Sequence, residues 1–204
     1  MILYIASIAG ANVFMILLSI FHNVYNLQIW QILVASLCGT VGVIAIDGVF
    51  ATIVRHCLPN KWFDYTVKMH LVGKKECKFY ELLGIKLWKD SVLELGMFTS
   101  FSKKTIAEPD SKEYMERFIL ECNYGNWIHI ACILTGWLLY LFYPQNLYAY
   151  FPLTICIVNS ILNLLPTMIL RYNVPRLHRM RNLLEKKEAR AAKKQETLEE
   201  VSNL

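Results

Sequence analysis

Asp47, in "VGVIAIDGVF", is a carboxylate inside an uninterrupted apolar stretch; His129 and Asn163 are an imidazole and an amide in two others. Ionisable groups in such surroundings are costly, turn toward the interior of a helix bundle and mark functional sites by default. At 1.5 Å of rise per helical residue, Asp47 lies about 12 Å from Arg55, which closes its stretch, and Asn163 lies about 12 Å from Arg171. A helix starting near Gly125 puts His129 about 6 Å in. The three groups therefore share one layer. A histidine held by a carboxylate can take a proton from a hydroxyl, which acyl transfer to an alcohol requires. Glu121, Cys122, Gly125 and His129 fall on one helical face, which brings Glu121 toward the same site, one turn or two nearer the headgroups. The candidate catalytic residues are His129, Asp47 and Glu121. The same residues could instead serve only as hydrogen-bonding glue between helices. The five histidines show no HxxxH or HExxH spacing, and Cys122 with His129 makes only two ligands, so no metal site is expected.

The elements that must position these groups follow from hydropathy and charge. With 55% hydrophobic residues and a mean hydropathy of +0.36, the 204-residue chain reads as a membrane protein. Residues 1–22, 28–54, 126–143 and 147–170 lack Lys and Arg and are each long enough to cross a hydrocarbon core, which takes about 20 helical residues. Only helices satisfy their own backbone there, so the expected fold is all-α with four transmembrane helices. The first segment has no cation before its apolar run and is longer than a signal-peptide core, so it reads as a span.

All 21 Lys and Arg lie in residues 55–125 and 171–204. The positive-inside rule then puts both termini and the 55–125 segment in the cytoplasm, and the links "HNVYNLQ" and "YPQNLY" outside. Tyr25, Trp30, Tyr140, Tyr143, Tyr148 and Tyr150 gather near those links as an aromatic belt. The division is thus helices one and two in 1–54, a cytoplasmic or interfacial segment in 55–125, helices three and four in 126–170, and a basic tail in 171–204. This arrangement accounts for the basic balance, and no nucleic-acid motif accompanies it. The six cysteines form no CxxC pair and read as reduced packing thiols.

The stretch "GIKLWKDSVLELG", residues 84–96, mixes large apolar and charged side chains. It suits an interface: Trp88, Phe98 and Phe101 toward the acyl boundary, with charges including Lys103 and Lys104 at headgroups. A small subdomain packed on the helix ends is the other reading. The tail from Arg176 onward is a highly charged helix former.

Three stretches, "YELLGIKLWKDSVLELG", "FILECNYGNWIH" and "NLLPTMILRYNVPRLHRM", resemble in order and spacing the small membrane proteins of the glycosyl-4,4'-diaponeurosporenoate acyltransferase family. The resemblance runs from about residue 80 to 181. It implies four helices and esterification of a sugar hydroxyl on a glycosylated carotenoid acid. The family's Gly-Ile-x-x-Trp-Lys block falls on Gly84, Ile85, Trp88 and Lys89, followed by Asp90, Glu94 and Gly96. Its Arg-Tyr-Asn-x-x-Arg-Leu block falls on Arg171, Tyr172, Asn173, Arg176 and Leu177, and its Glu and His on Glu121 and His129. Asn123, Asn126 and Ile130 depart from the family pattern, which is richer in charge there and has a Trp after the His.

Together these features predict an integral-membrane O-acyltransferase of a bacterial plasma membrane, acting on a glycosylated isoprenoid or other lipid-like acceptor. Trp88, Lys89, Asp90, Glu94, Asn163, Arg171, Asn173 and Arg176 are the expected substrate contacts. No cofactor is expected, and an acyl thioester or a phospholipid would be the donor. A non-catalytic lipid-binding or assembly subunit is the alternative. A proton-coupled transporter fits less well, since four helices without an internal repeat lack the repeated halves of many transporters.

Overall fold

The computed structural model describes residues 2–22, 27–92 and 106–202. Among them there is no β-strand, and four helices are long and apolar enough to cross a membrane. In chain order the helices are α1 (Ile2–Phe21), α2 (Ile29–His56), the short α3 (Lys74–Leu82) and α4 (Ile85–Trp88), α5 (Lys112–Thr135) and α6 (Pro152–Ser202). α5 passes directly into a 3₁₀ segment, Gly136–Phe142, which completes the third span.

α5 does not start near Gly125 as expected from the charge pattern; it starts at Lys112. Two local causes set that start. Ser111 caps the helix by accepting from the Tyr114 N–H at 3.1 Å. Then Met115, Phe118, Ile119 and Cys122 form an apolar stripe that buries against Val174 and Leu177 of α6. The first turns of α5 therefore belong to a packed cap at the charged end of the bundle. α6 is likewise continuous: the fourth span and the basic tail are one helix of 51 residues that passes through Pro166 and Pro175.

A proline inside a helix has no N–H for the carbonyl four residues back. Pro166 thus frees the Leu162 carbonyl, and the Tyr4 hydroxyl of α1 donates to it at 3.1 Å. Such capture satisfies a group that would otherwise face hydrocarbon. α1 is also tied to α2 by polar contacts: the Ser36 and Thr40 hydroxyls donate to Asn12 Oδ1. At the opposite end from the charged cap, Met15, Ile32, Leu139, Phe151 and Ile155 form the core, and the Tyr143 hydroxyl donates to the Ala35 carbonyl.

The segment after α2 folds back over α5. Phe63 stacks on Tyr124 at 4.1 Å, Asn123 Nδ2 donates to the Phe63 carbonyl at 2.8 Å, and His70 Nε2 donates to the Trp62 carbonyl at 2.7 Å. α3 is held to α6 by Glu76, which receives Arg171 Nε at 2.5 Å and the Tyr80 hydroxyl at 2.6 Å. The Arg171 guanidinium holds the Glu76 carboxyl below the usual range, while burial and the adjacent Glu76 push Tyr80 up to about 12. Tyr80 therefore stays a donor.

Around α4 the chain packs on the bundle with one side and is exposed on the other. Ile85 is 0% exposed and packs with Tyr80 and Val92 against Met168 and Ile169 of α6, as a subdomain would. Leu82 and Leu87 face away from the protein at 84% and 89% exposure. Gly84 makes the turn between α3 and α4 with φ of 69°, a region that favours glycine.

Candidate functional site

The three groups in apolar surroundings come together. Asp47 is brought in by α2, His129 by α5 and Asn163 by α6. Asp47 and His129 do not bond each other; Asn163 stands between them. Its Nδ2 donates to Asp47 Oδ2 at 3.2 Å, and its Oδ1 lies 2.9 Å from His129 Nδ1.

The hydrogen-bond partners fix the orientation of that amide. Asn163 Nδ2 faces three acceptors: Asp47 Oδ2, the Asn159 carbonyl at 3.1 Å and Asn159 Oδ1 at 3.0 Å. Turning the amide over would aim its oxygen at three oxygens, so Oδ1 must face the imidazole. An amide oxygen only accepts, so His129 Nδ1 carries the proton and Nε2 carries the lone pair.

Two further side chains that the spacing argument did not single out complete the layer. Asn159 Nδ2 lies 3.4 Å from Asp47 Oδ1 and 3.3 Å from the Cys132 carbonyl. Cys132 Sγ contacts the Asp47 carbonyl at 3.7 Å. Asn159 was visible in the sequence as the first member of "NSILN", an i, i+4 amide pair that must share a helix face. Gly136 explains the close approach of α6 here, because a Cβ on it would lie 2.5 Å from Asn159 Nδ2. A cavity of about 50 Å³ between α1, α2 and α6 reaches Asn159 from the side of Asn12 and Thr40.

Glu121 is not part of this layer. Both its oxygens are taken by Arg55, at 2.7 and 3.0 Å, and Arg117 Nε lies 3.0 Å away. Arg55 also stacks over Tyr124, with its guanidinium carbon 4.7 Å from the ring centre. A carboxylate so neutralised clamps α2 to α5 two turns nearer the charged end, the offset its spacing implies, while its pairing with two arginines has no mark in that spacing.

The expected substrate contacts separate into groups. Asn163 is the bridging amide. Arg171 is committed to Glu76 and holds α3 in place. Trp88 packs on the α4 cluster and donates from Nε1 to the Leu83 carbonyl at 3.0 Å. Lys89 and Asn173 are half-buried, Asp90 and Arg176 are exposed, and Arg176 pairs with no acid among the described residues. Glu94, Phe98, Phe101, Lys103 and Lys104 lie outside the described residues. Of the positions that depart from the resembling pattern, Asn123 is used in the Phe63 contact, and Asn126 is buried with its side-chain oxygen unpartnered. All six cysteines are free thiols, with Cys122, Cys132 and Cys156 buried.

An all-α bundle with four helices of spanning length, closed at one end by a cap and crossed by a polar layer, defines a class of small helical membrane proteins. The sequence profile of the glycosyl-4,4'-diaponeurosporenoate acyltransferases matches residues 59–183, and the chain belongs to that family of bacterial acyltransferases of carotenoid biosynthesis. No curated protein and no solved structure matches the chain. α1 and α2, and with them Asp47, lie before the matched region.

Proposed function

We propose that this chain is an integral-membrane O-acyltransferase that moves a fatty acyl group to a hydroxyl of a glycosylated isoprenoid or other lipid-like acceptor, with His129 as general base. The observation that carries the reading is the chain Asp47–Asn163–His129 across three helices. Its effect is to fix a tautomer whose Nε2 can accept a proton.

In this reaction Nε2 takes the hydroxyl proton of the acceptor as its oxygen attacks the acyl carbonyl. The tetrahedral intermediate collapses by breaking the bond to the donor's sulfur or oxygen, and the leaving group recovers the proton from the imidazolium. Asp47 stabilises that transient cation through the Asn163 amide. Arg176, exposed and paired with no acid among the described residues, is available for an anionic substrate group. The positive-inside rule puts the charged cap, and with it the donor, on the cytoplasmic face.

Purified protein incubated with radiolabelled acyl donors and a membrane lipid extract should yield a labelled ester, and His129→Ala should abolish it. Failure of every donor to give a His129-dependent product would sink the reading and leave the polar layer as packing in a lipid-binding or assembly subunit.

A further inference from the structure

Where α6 leaves the bundle it forms one wall of a groove of about 420 Å³, and Leu71 and Val72 form the other. From α6 the groove takes His178, Arg179, Asn182 and Lys186. Those four share a helix face by their spacing. Neither Arg179 nor Lys186 pairs with an acid among the described residues, although Arg181 and Lys187 on the same helix do. His178 Nε2 is shielded from solvent and has no partner. The groove therefore offers two free cations and an amide, backed by apolar side chains and the His178 ring, and no acidic residue lines it.

Such a donor-rich, acceptor-poor concavity matches a phosphate group carried on an apolar or extended arm. We infer that this groove binds the phosphate of the acyl donor. The inference rests on the acyl-transfer reading and deepens it. His178 follows Asn163 by fifteen residues on the same helix, about 22 Å along its axis. An acyl thioester on a phosphopantetheine arm carries its phosphates on a long flexible linker, whereas the glycerol of a phospholipid keeps phosphate and acyl carbonyl only a few ångströms apart, so the donor that fits this separation is the thioester.

The full chain in nanodiscs of phosphatidylcholine, titrated with coenzyme A, tests the soluble source. Groove-dependent retention of phosphatidylglycerol on the purified protein, with no binding of coenzyme A, would mark a lipid-headgroup site and overturn the donor assignment. The double variant Arg179→Gln, Lys186→Gln alters only exposed side chains and should leave the thermal midpoint unchanged. It should weaken coenzyme A about tenfold or more, the loss expected when charge-assisted hydrogen bonds are removed. His129→Ala should bind that ligand like the parent while forming no ester. Equal binding of both ligands by parent and double variant, or binding of neither by the parent, would overturn the groove assignment. An unchanged KM for the donor in the double variant would overturn it too, with acyl transfer intact. Groove-dependent binding with no ester from any donor would instead remove the acyl-transfer reading and keep the site.

Discussion

Replacing Asn163 by Leu, which keeps the volume and removes the amide, should damage turnover more than replacing Asp47 by Asn. In the Asp47→Asn variant the new amide oxygen can still accept from Asn163 Nδ2, and Asn163 Oδ1 still faces His129 Nδ1 at 2.9 Å. What is lost is one negative charge, felt by the imidazole through an intervening amide. In Asn163→Leu the Nδ1–H loses its acceptor, so the ring is free to rotate and to change tautomer. A neutral hydrogen bond contributes about 1 kcal/mol net, and 1 to 2 kcal/mol corresponds to a factor of roughly 5 to 30 in population. That range is the expected fall in kcat for Asn163→Leu. His129→Ala should show the larger loss, roughly 10²- to 10⁴-fold, that general acid–base catalysis supplies. The assay is initial-rate ester formation by purified protein at matched amounts, with thermal unfolding in detergent to confirm that each variant is folded. A folded Asn163→Leu variant with parental kcat, or an Asp47→Asn variant slower than it, would refute the assignment of Asn163 as the residue that orients the base.

Gly136→Ala should lower the thermal midpoint, because the added Cβ would sit 2.5 Å from Asn159 Nδ2 and overpacking of this kind costs about 1–3 kcal/mol; a parental midpoint in a thermal melt would contradict the close packing of α5 on α6. Glu76 has its folded pKa lowered chiefly by the hydrogen bond from Arg171, so its contribution to stability is present above the ordinary carboxylate value and disappears as pH falls through the lowered one. Melts of parent and Glu76→Gln should therefore differ near neutral pH and converge in acid; a difference that persists or grows on acidification would contradict the ion pair. Single cysteines at Lys74 and Lys193 should react with an impermeant thiol reagent only after the cytoplasmic face is opened, and one at Gln145 should react in intact cells; labelling of Lys74 from outside would invert the topology.

The four spans were legible because Lys and Arg are excluded from them and because a helix is the only way to satisfy that backbone in lipid. The meeting of Asp47, His129 and Asn163 was legible as a layer, since depth along a helix is a matter of counting. Their order was not, because counting says nothing of rotation about each axis, and it is rotation that puts the amide between the acid and the imidazole. The partners of Glu121 and Arg171 were hidden for a different reason. Each is taken up by a partner far away in sequence, Arg55 for one and Glu76 for the other, and nothing local marks those pairs. The start of α5 at Lys112 was hidden because its first turns bury their apolar stripe on protein and carry charge on the other side, so hydropathy alone reads them as outside the span.

Pro166 in α6 has a consequence for biogenesis. Pro166 leaves the Leu162 carbonyl without its helical donor, and the hydroxyl that meets it comes from Tyr4, near the start of the chain. α1 emerges from the ribosome first and α6 last, so the donor waits in the bilayer before its acceptor arrives. Assembly is thereby ordered: the last helix completes its hydrogen bonding only by docking on the first, and an α6 inserted beside any other neighbour carries an open carbonyl into hydrocarbon. A Tyr4→Phe chain should accordingly be made and inserted at normal rates, yet be cleared faster by membrane quality control.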